Sequence, residues 1–342
     1  MSQRKELSLD TLCVGLSLIL LLFSCSDPSI DRTVEPIEVE LELVRLDLEI
    51  FKEEPLEEKH ERLREQHPKF YSQYFREILL LGPLDDSLAL QNLERFVQDE
   101  EWQFAQRQID SVFTDTEEYH QQFSEAFGRY KAIFPERKVP DVYFMNSGYN
   151  YGIYPIPQLD VLGIGAEFYL GASNPMIDRL PNELFPAYLR EQMIPEHLVP
   201  NAMKGWLILN HDEGGGRADL LGLMASYGKI MYALHLCIPE IEEYRHFAYS
   251  EAEWNWCVDN EQNIWKVIID QDILFTKERK TLTDWIGRGP YTQGFSEESP
   301  AELGYFMGKQ MVKDYMREHP EVTVQQLMSV PAEAILKAYT PG

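Results

Sequence analysis

Near its N-terminus the chain has an apolar run that is too short to cross a membrane. A cysteine follows this run closely. Arg4 and Lys5 precede this run, and Leu12 to Phe23 are 12 residues without a charge. Because a membrane-spanning helix needs about 20 apolar residues, the run is typical of the hydrophobic region of a bacterial export signal. The rest of the chain is therefore expected to fold outside the cytosol.

The residues at the end of this run resemble a lipobox, in which a small residue precedes the cleavage point and the next cysteine receives lipid. They are Leu22, Phe23, Ser24 and Cys25. The bulky Phe23 departs from the commonest pattern and resembles lipoproteins of the Bacteroidetes type. We predict a lipoprotein signal peptide over residues 1–24 and lipidation of Cys25, where two or three acyl chains give stable anchoring. The alternative is an ordinary signal peptide followed by an incidental cysteine.

Composition limits what the exported part can be. Residues 25–36 are polar and are predicted to tether the lipid to a globular domain over 37–342, either one large domain or two packed lobes divided near residues 135–140. With 44% hydrophobic residues the chain can bury a sizeable core. The 31 Lys and Arg against 57 Asp and Glu give a net charge of −26, so nucleic acid is not an expected partner.

The pattern of apolar residues predicts an α+β fold that is predominantly helical with a small β-sheet. Residues 37–44 alternate apolar and acidic, which predicts a first strand, and residues 142–145 and 161–165 predict a second strand and a returning one. Between Pro55 and Pro135 glycine is nearly absent and apolar residues recur at helical spacing, which indicates four or five helices.

Three amphipathic helices are predicted in the C-terminal half. Their apolar positions span residues 220–234, 254–268 and 303–315. In the last of these, Gly304 and Gly308 share one face, so another backbone can approach closely.

Most sequence motifs for catalysis are absent, and no cofactor or metal is predicted. The sequence contains no P-loop, no Rossmann glycine pattern, no G-x-S-x-G elbow and no H-E-x-x-H. The residues His211, Asp212 and Glu213 are adjacent metal-ligand types, but they lie in a glycine-rich segment typical of a solvated loop. Cys237 and Cys257 could form a disulfide or remain two buried thiols, and spacing does not decide between them.

The spacing of apolar residues over 254–268 predicts that one carboxylate lies on the apolar face of a helix. Glu261 shares the face of Trp254, Cys257 and Ile268, so it is a candidate buried functional carboxylate, whereas Asp259 is not on that face. A buried carboxylate must be paired or have a raised pKa. The structural alternative for Glu261 is a salt bridge or a helix cap.

From about Pro140 to the C-terminus the chain resembles the gliding-motility lipoprotein GldB family. The matching segments are short, occur in the expected order and span about 200 residues. They are residues 147–152, 164–171, 188–190, 193–200, 227–234, 253–257, 260–265, 289–292 and 298–304. The resemblance implies an envelope lipoprotein, associated with the gliding machinery and with secretion linked to it, and no enzymatic activity.

A second, weaker resemblance is to gluzincin-type zinc peptidases. Residues 201–205 stand where H-E-x-x-H would be, and residues 226–229 stand where the third ligand would be. This resemblance implies a degenerate zincin-like core without its metal ligands.

Three functions follow as hypotheses. We favour a non-catalytic component or assembly factor, anchored through Cys25, facing the periplasm and contacting protein partners. Residues 26–27 do not decide between the inner and the outer membrane. The second hypothesis is a hydrolase that uses Glu261 or Asp259 with His197 or His211. The third is a lipoprotein that binds a peptide or glycan through an aromatic cluster of Tyr149, Tyr151, Tyr154, Trp254 and Trp256.

Overall fold

A computed structural model describes residues 32–211 and 219–342. The predicted signal peptide and Cys25 lie outside the described residues, as do Asp212 and Glu213 of the loop that carries ligand-type residues. The described chain is 57% helical with one small sheet, which confirms the predicted α+β class.

The helices fall into three groups along the chain. The N-terminal group is α1 (Leu46–Phe51), α2 (Leu56–Gln66), α3 (Tyr71–Gln73), which continues as a π-helical turn over Tyr74–Ile78, α4 (Ala89–Gln98), α5 (Glu100–Val112) and α6 (Glu117–Ile133). The middle group is α7 (Pro175–Asp178), α8 (Ala187–Glu191), α9 (Leu198–His211) and α10 (Leu220–Cys237). The C-terminal group is α11 (Glu243–His246), α12 (Glu251–Asp259), α13 (Glu261–Asp270), α14 (Arg279–Ile286), α15 (Leu303–Glu318), α16 (Val324–Leu327) and α17 (Ala332–Ala338).

The sheet has four strands in the order β1-β2-β4-β3. They are β1 (Leu43–Arg45), β2 (Asp141–Met145), β3 (Ile153–Ile156) and β4 (Val161–Gly165). The strand predicted over 37–44 is confined to the three residues of β1, because only these pair with β2. Residues 161–165 form the strand β4, but the prediction that this strand returns was wrong in direction: β4 runs parallel to β2, and the reversal is made by β3.

The two faces of β2 serve two hydrophobic cores. Val142 and Phe144 point into the larger core, which α5, α6 and the middle and C-terminal helices build. Tyr143 and Met145 point into the smaller core of α1 to α4. This alternation follows from the period of two in a strand, and it makes the sheet the layer between α1 to α4 on one side and the helices of the larger core on the other.

The helices α10 and α15 cross at the centre of the larger core. Gly228 and Gly308 meet at this crossing, which confirms the close approach predicted from the glycine face of α15. Within the described ranges α10 is the one helix with the length and hydropathy of a membrane span, but 67% of it is buried inside the protein.

The helix predicted over 254–268 is two helices. Asn260 ends α12 and precedes α13, and its backbone φ of −113° is not helical. The break changes which side chains face the core, so the face on which Glu261 was placed does not continue through it.

Candidate functional site

A cavity of about 1260 Å³ lies on one side of the sheet. Its walls come from β3, the segment after β4, α8, α9, α11, α12 and the segment 288–302. It is larger than the 300–1,000 Å³ of usual small-molecule sites. The cavity is the principal candidate for binding in the described part of the chain.

A lysine lies in the wall that α9 contributes. Lys204 lines the cavity, and only 9% of the residue is exposed. Burial lowers its pKa, the nearby Glu302 carboxylate opposes this effect, and Arg288 adds to it. Among the described residues no hydrogen bond or ion pair reaches the Lys204 ammonium, so this cation is held in the wall without a direct partner.

His197 lines the same cavity in a neutral form. Its Nδ1 donates to the Gln192 carbonyl oxygen at 3.0 Å, and the residue is 4% exposed. Burial lowers the pKa of His197, and the charges of Lys204 and Arg245 lower it further. At neutral pH this imidazole is therefore uncharged.

The other residues of the hydrolase hypothesis are not assembled with His197. His211 lies at the end of α9 against Phe134, with ring centroids 4.2 Å apart, and burial lowers its pKa to about 4. Asp259 is exposed at the end of α12. Of the four proposed residues, His197 alone lines the cavity.

Glu261 is half-buried rather than buried, because the break at Asn260 places it at the first position of α13. Its Oε1 accepts hydrogen bonds from the Tyr339 hydroxyl at 2.9 Å and from the backbone N–H of Gly342 at 3.3 Å. The carboxylate thus fastens the C-terminal residues to α13, and it is not part of the cavity lining.

We expect Glu261→Gln to lower the free energy of unfolding by about 1 kcal/mol, because the amide oxygen can still accept from Tyr339 but the charge is lost. Urea denaturation measures this, with the exposed Asp259→Asn as the matched control. Lost function at unchanged stability would instead favour an active-site role for Glu261.

The predicted aromatic cluster is divided between the cavity and the core. Tyr151 and Trp256 line the cavity, and Tyr154 packs on Tyr151 with ring centroids 4.8 Å apart. Tyr149 packs against Phe168 at 5.2 Å, and Trp254 packs against Phe306 at 5.6 Å. The surface available to a ligand therefore holds part of the cluster only.

A buried carboxylate that the sequence analysis did not single out lies behind the cavity. Glu167 is 0% exposed, and its Oε1 accepts from the backbone N–H groups of Ser147 at 2.8 Å and Tyr149 at 3.0 Å, and from the Ser147 hydroxyl. Burial raises the pKa of Glu167 to about 7. The signal in the sequence was one acid inside the apolar run 161–170.

This carboxyl group holds the loop that leads into the cavity wall. The Ser147 hydroxyl also accepts from the backbone N–H of Tyr151 at 3.1 Å. Tyr149 has a φ of 59°, a conformation that non-glycine residues rarely adopt, so the loop needs the hydrogen bonds to Glu167 to keep its shape. Glu167 is thus a positioning residue for Asn150 and Tyr151.

Both cysteines of the described domain are free thiols. Cys237 and Cys257 are buried in the larger core, and burial raises the pKa of each thiol. They pack as small apolar side chains.

The residues present do not fit the zinc site that the gluzincin resemblance would imply. Asn201, Lys204 and Gly205 line the cavity on α9, where the metal motif would stand, and an ammonium group there opposes a metal cation. The Lys229 ammonium, in the segment of the third ligand, donates to the carbonyl oxygens of Met328 and Val330. Within 32–211 and 219–342 no group of three or more His, Cys, Asp or Glu side chains could hold a metal ion.

The sequence matches a known protein family over most of its length. The family model described as gliding motility protein GldB matches residues 27–341. The chain belongs to the GldB family. Membership associates it with gliding motility and indicates an envelope lipoprotein. No curated protein and no solved structure gives a significant match.

Proposed function

We propose that this GldB-family protein is anchored to a membrane through lipid on Cys25, faces the periplasm, and serves as a non-catalytic component or assembly factor of the gliding machinery and the secretion linked to it. The observation that carries the proposal is the family match over residues 27–341, which begins two positions after Cys25.

The start of the described chain supports an anchor close to the domain. The guanidinium of Arg32 donates to the carbonyl oxygens of Pro320 at 2.8 Å and Val322 at 2.5 Å. Arg32 lies seven positions after Cys25, and a fully extended chain spans at most ~3.6 Å per residue, or roughly 25 Å here. The turn at residues 319–322 would therefore face the membrane.

The chemistry of the cavity supports a role in binding rather than in catalysis. His197 is neutral and tied to the Gln192 carbonyl, and the acid candidates Asp259 and Glu261 lie away from it. The charged side chain that stands out in the cavity lining is Lys204, whose ammonium group suits recognition of an anion.

The anchor is tested by Cys25→Ala in the native host. We expect the protein to leave the membrane fraction while its circular dichroism spectrum and melting temperature stay unchanged, because the residue precedes the globular domain predicted over 37–342. Cell fractionation measures this, and Cys13→Ala, inside the predicted signal peptide, is the matched control that should stay bound. Retention of Cys25→Ala in the membrane fraction would contradict lipid anchoring.

The assembly role is tested by crosslinking the anchored protein in cells and identifying what is recovered with it. Recovery of gliding or secretion components by the wild type, and their loss with Cys25→Ala, is expected. Stoichiometric zinc with no stable protein partner would overturn the proposal.

A further inference from the structure

The Lys204 side chain lies in the cavity wall with its ammonium open to the cavity, since its Nζ is not among the fully buried unpaired atoms of the described chain. Only 9% of the residue is exposed, and the described chain offers its ammonium no hydrogen bond or ion pair. An ammonium group that keeps little contact with water and has no direct partner is unfavourable. Glu302 acts on it electrostatically, but no ion pair between the two is formed. An anionic group from outside the chain would supply the missing partner.

The other cations of the cavity differ from Lys204. Arg245 already pairs with Glu242 at 3.3 Å and donates to the Tyr244 hydroxyl at 3.2 Å. Arg288 is exposed. An anion bound beside Lys204 would therefore meet the one cation of this lining that is both buried and unpaired.

The rim of the cavity has the opposite charge. Glu191 and Glu196 contribute from the α8 side, and Glu297 and Glu298 contribute from the segment before α15. All four are exposed, and none forms an ion pair in the described chain. A simple anion would be repelled at this rim, whereas a ligand that carries basic groups beside its anionic group would be attracted.

The walls between the rim and Lys204 are largely apolar and aromatic. Phe168, Phe185, Ile208 and Trp256 line the cavity, and Ile153 packs directly against Gly205, where an added Cβ would lie 2.9 Å from Ile153 Cγ2. A volume of about 1260 Å³ has space for several amino-acid residues in extended form. Apolar walls with a few placed charges suit a peptide that buries side chains while its charges meet partners.

We propose that this cavity binds an extended peptide segment of a partner protein, with a carboxylate of the peptide paired to Lys204 and basic side chains paired to the rim glutamates. The carboxylate is either the C-terminal one or that of an Asp or Glu side chain. The inference rests on the proposed role in binding partners, but it is independent of the lipid on Cys25.

The test uses the full-length chain, purified in detergent and immobilised, and two pools of random hexapeptides. One pool has a free C-terminal carboxylate and the other is amidated. Peptides retained by the wild type should carry a carboxylate and at least one Lys or Arg. A C-terminal carboxylate is indicated by retention from the free-acid pool alone, and a side-chain carboxylate by retention of Asp or Glu peptides from both pools.

Lys204→Met removes the proposed partner while keeping the shape of the side chain. We expect retention to fall about tenfold or more, since a hydrogen bond to a charged group is worth roughly 1.5–3 kcal/mol. The matched control is Lys138→Met, which removes an exposed lysine paired with Asp160 outside the cavity. The double variant Glu297→Gln with Glu298→Gln should reduce the preference for basic peptides and keep the preference for a carboxylate.

The stability of the same variant separates a binding role from a structural one. Lys204→Met should melt at the wild-type temperature or above it, because a buried unpaired cation is removed. A markedly lower melting temperature would show that Lys204 supports the fold and would overturn the assignment. Equal retention by wild type and Lys204→Met, no retention from either pool, or retention of chitohexaose in place of peptides would also overturn it. None of these outcomes changes whether the anchored protein recovers gliding or secretion components. The peptide-binding proposal and the proposed assembly role can therefore fail separately.

Discussion

Gly308→Ala should destabilise the protein by about 3 kcal/mol or more. A Cβ atom at Gly308 would lie 1.8 Å from the Met224 carbonyl oxygen, and one at Gly228 would lie 2.1 Å from the Gly308 carbonyl oxygen. Both obstacles are backbone atoms, which cannot rotate away. The methyl group therefore has to push α10 and α15 apart and loosen the core that they share.

Urea denaturation of wild type and Gly308→Ala measures this effect, and Gly228→Ala should behave alike. Gly289→Ala is the matched control, because its added Cβ would meet its nearest atom at an ordinary 3.5 Å. A loss below about 0.5 kcal/mol, the size of an ordinary surface substitution, would contradict this packing of the two helices.

Glu167 should make the stability of the protein depend on pH. Its pKa in the folded state is raised to about 7 from the ordinary 4.5. Between these two values the folded protein holds a proton that the unfolded chain has lost, so the free energy of unfolding falls as pH rises from about 4.5 to about 7. At about 1.4 kcal/mol per pKa unit, the loss approaches ~3 kcal/mol.

Glu167→Gln isolates this effect, because the amide keeps the accepting oxygen and cannot ionise. Relative to this variant, wild type should be less stable at pH 8 than at pH 5, and denaturation at the two pH values measures the difference. Glu167→Ala should be destabilised at both, since the N–H groups of Ser147 and Tyr149 lose their acceptor. A wild-type-to-Gln difference that is the same at pH 5 and pH 8 would contradict the raised pKa.

Periodicity and glycine spacing predicted the centre of the fold well. The apolar positions of α10 and α15 repeat along both helices, and Gly304 and Gly308 mark a face that another backbone can approach closely. Gly308 meets the backbone of α10 as predicted, whereas Gly304 meets the Ile286 side chain and the Trp285 carbonyl oxygen at the end of α14. Long helices can be predicted from sequence because their apolar residues recur at helical spacing over several turns.

Short elements were harder to predict, because tertiary pairing decides them. The strand β3 contains Pro155, which cannot donate to a ladder, and the sheet accommodates it by placing β3 at the edge. The alternation over residues 37–44 predicted a strand, but a pairing partner exists only from Leu43 onward. The local sequence does not show at which residue of this stretch the pairing with β2 begins.

The site was predictable only in part. Tyr151, Trp256 and His197 were singled out and do line the cavity, whereas Glu261 was misplaced by a helix break at Asn260. Lys204 could have been singled out from the sequence, since it is the only Lys, Arg, Asp or Glu in the helix Leu198–His211. A sequence cannot show that such a lysine lacks a partner, because this depends on residues distant in the chain such as Glu302.

The most direct test of the proposed function is crosslinking of the native, membrane-anchored protein in cells, followed by identification of its partners and metal analysis of the same sample. We expect gliding or secretion components to be recovered with the wild type and lost with Cys25→Ala, with no stoichiometric metal. Stoichiometric zinc without a stable protein partner would contradict a non-catalytic role in assembly.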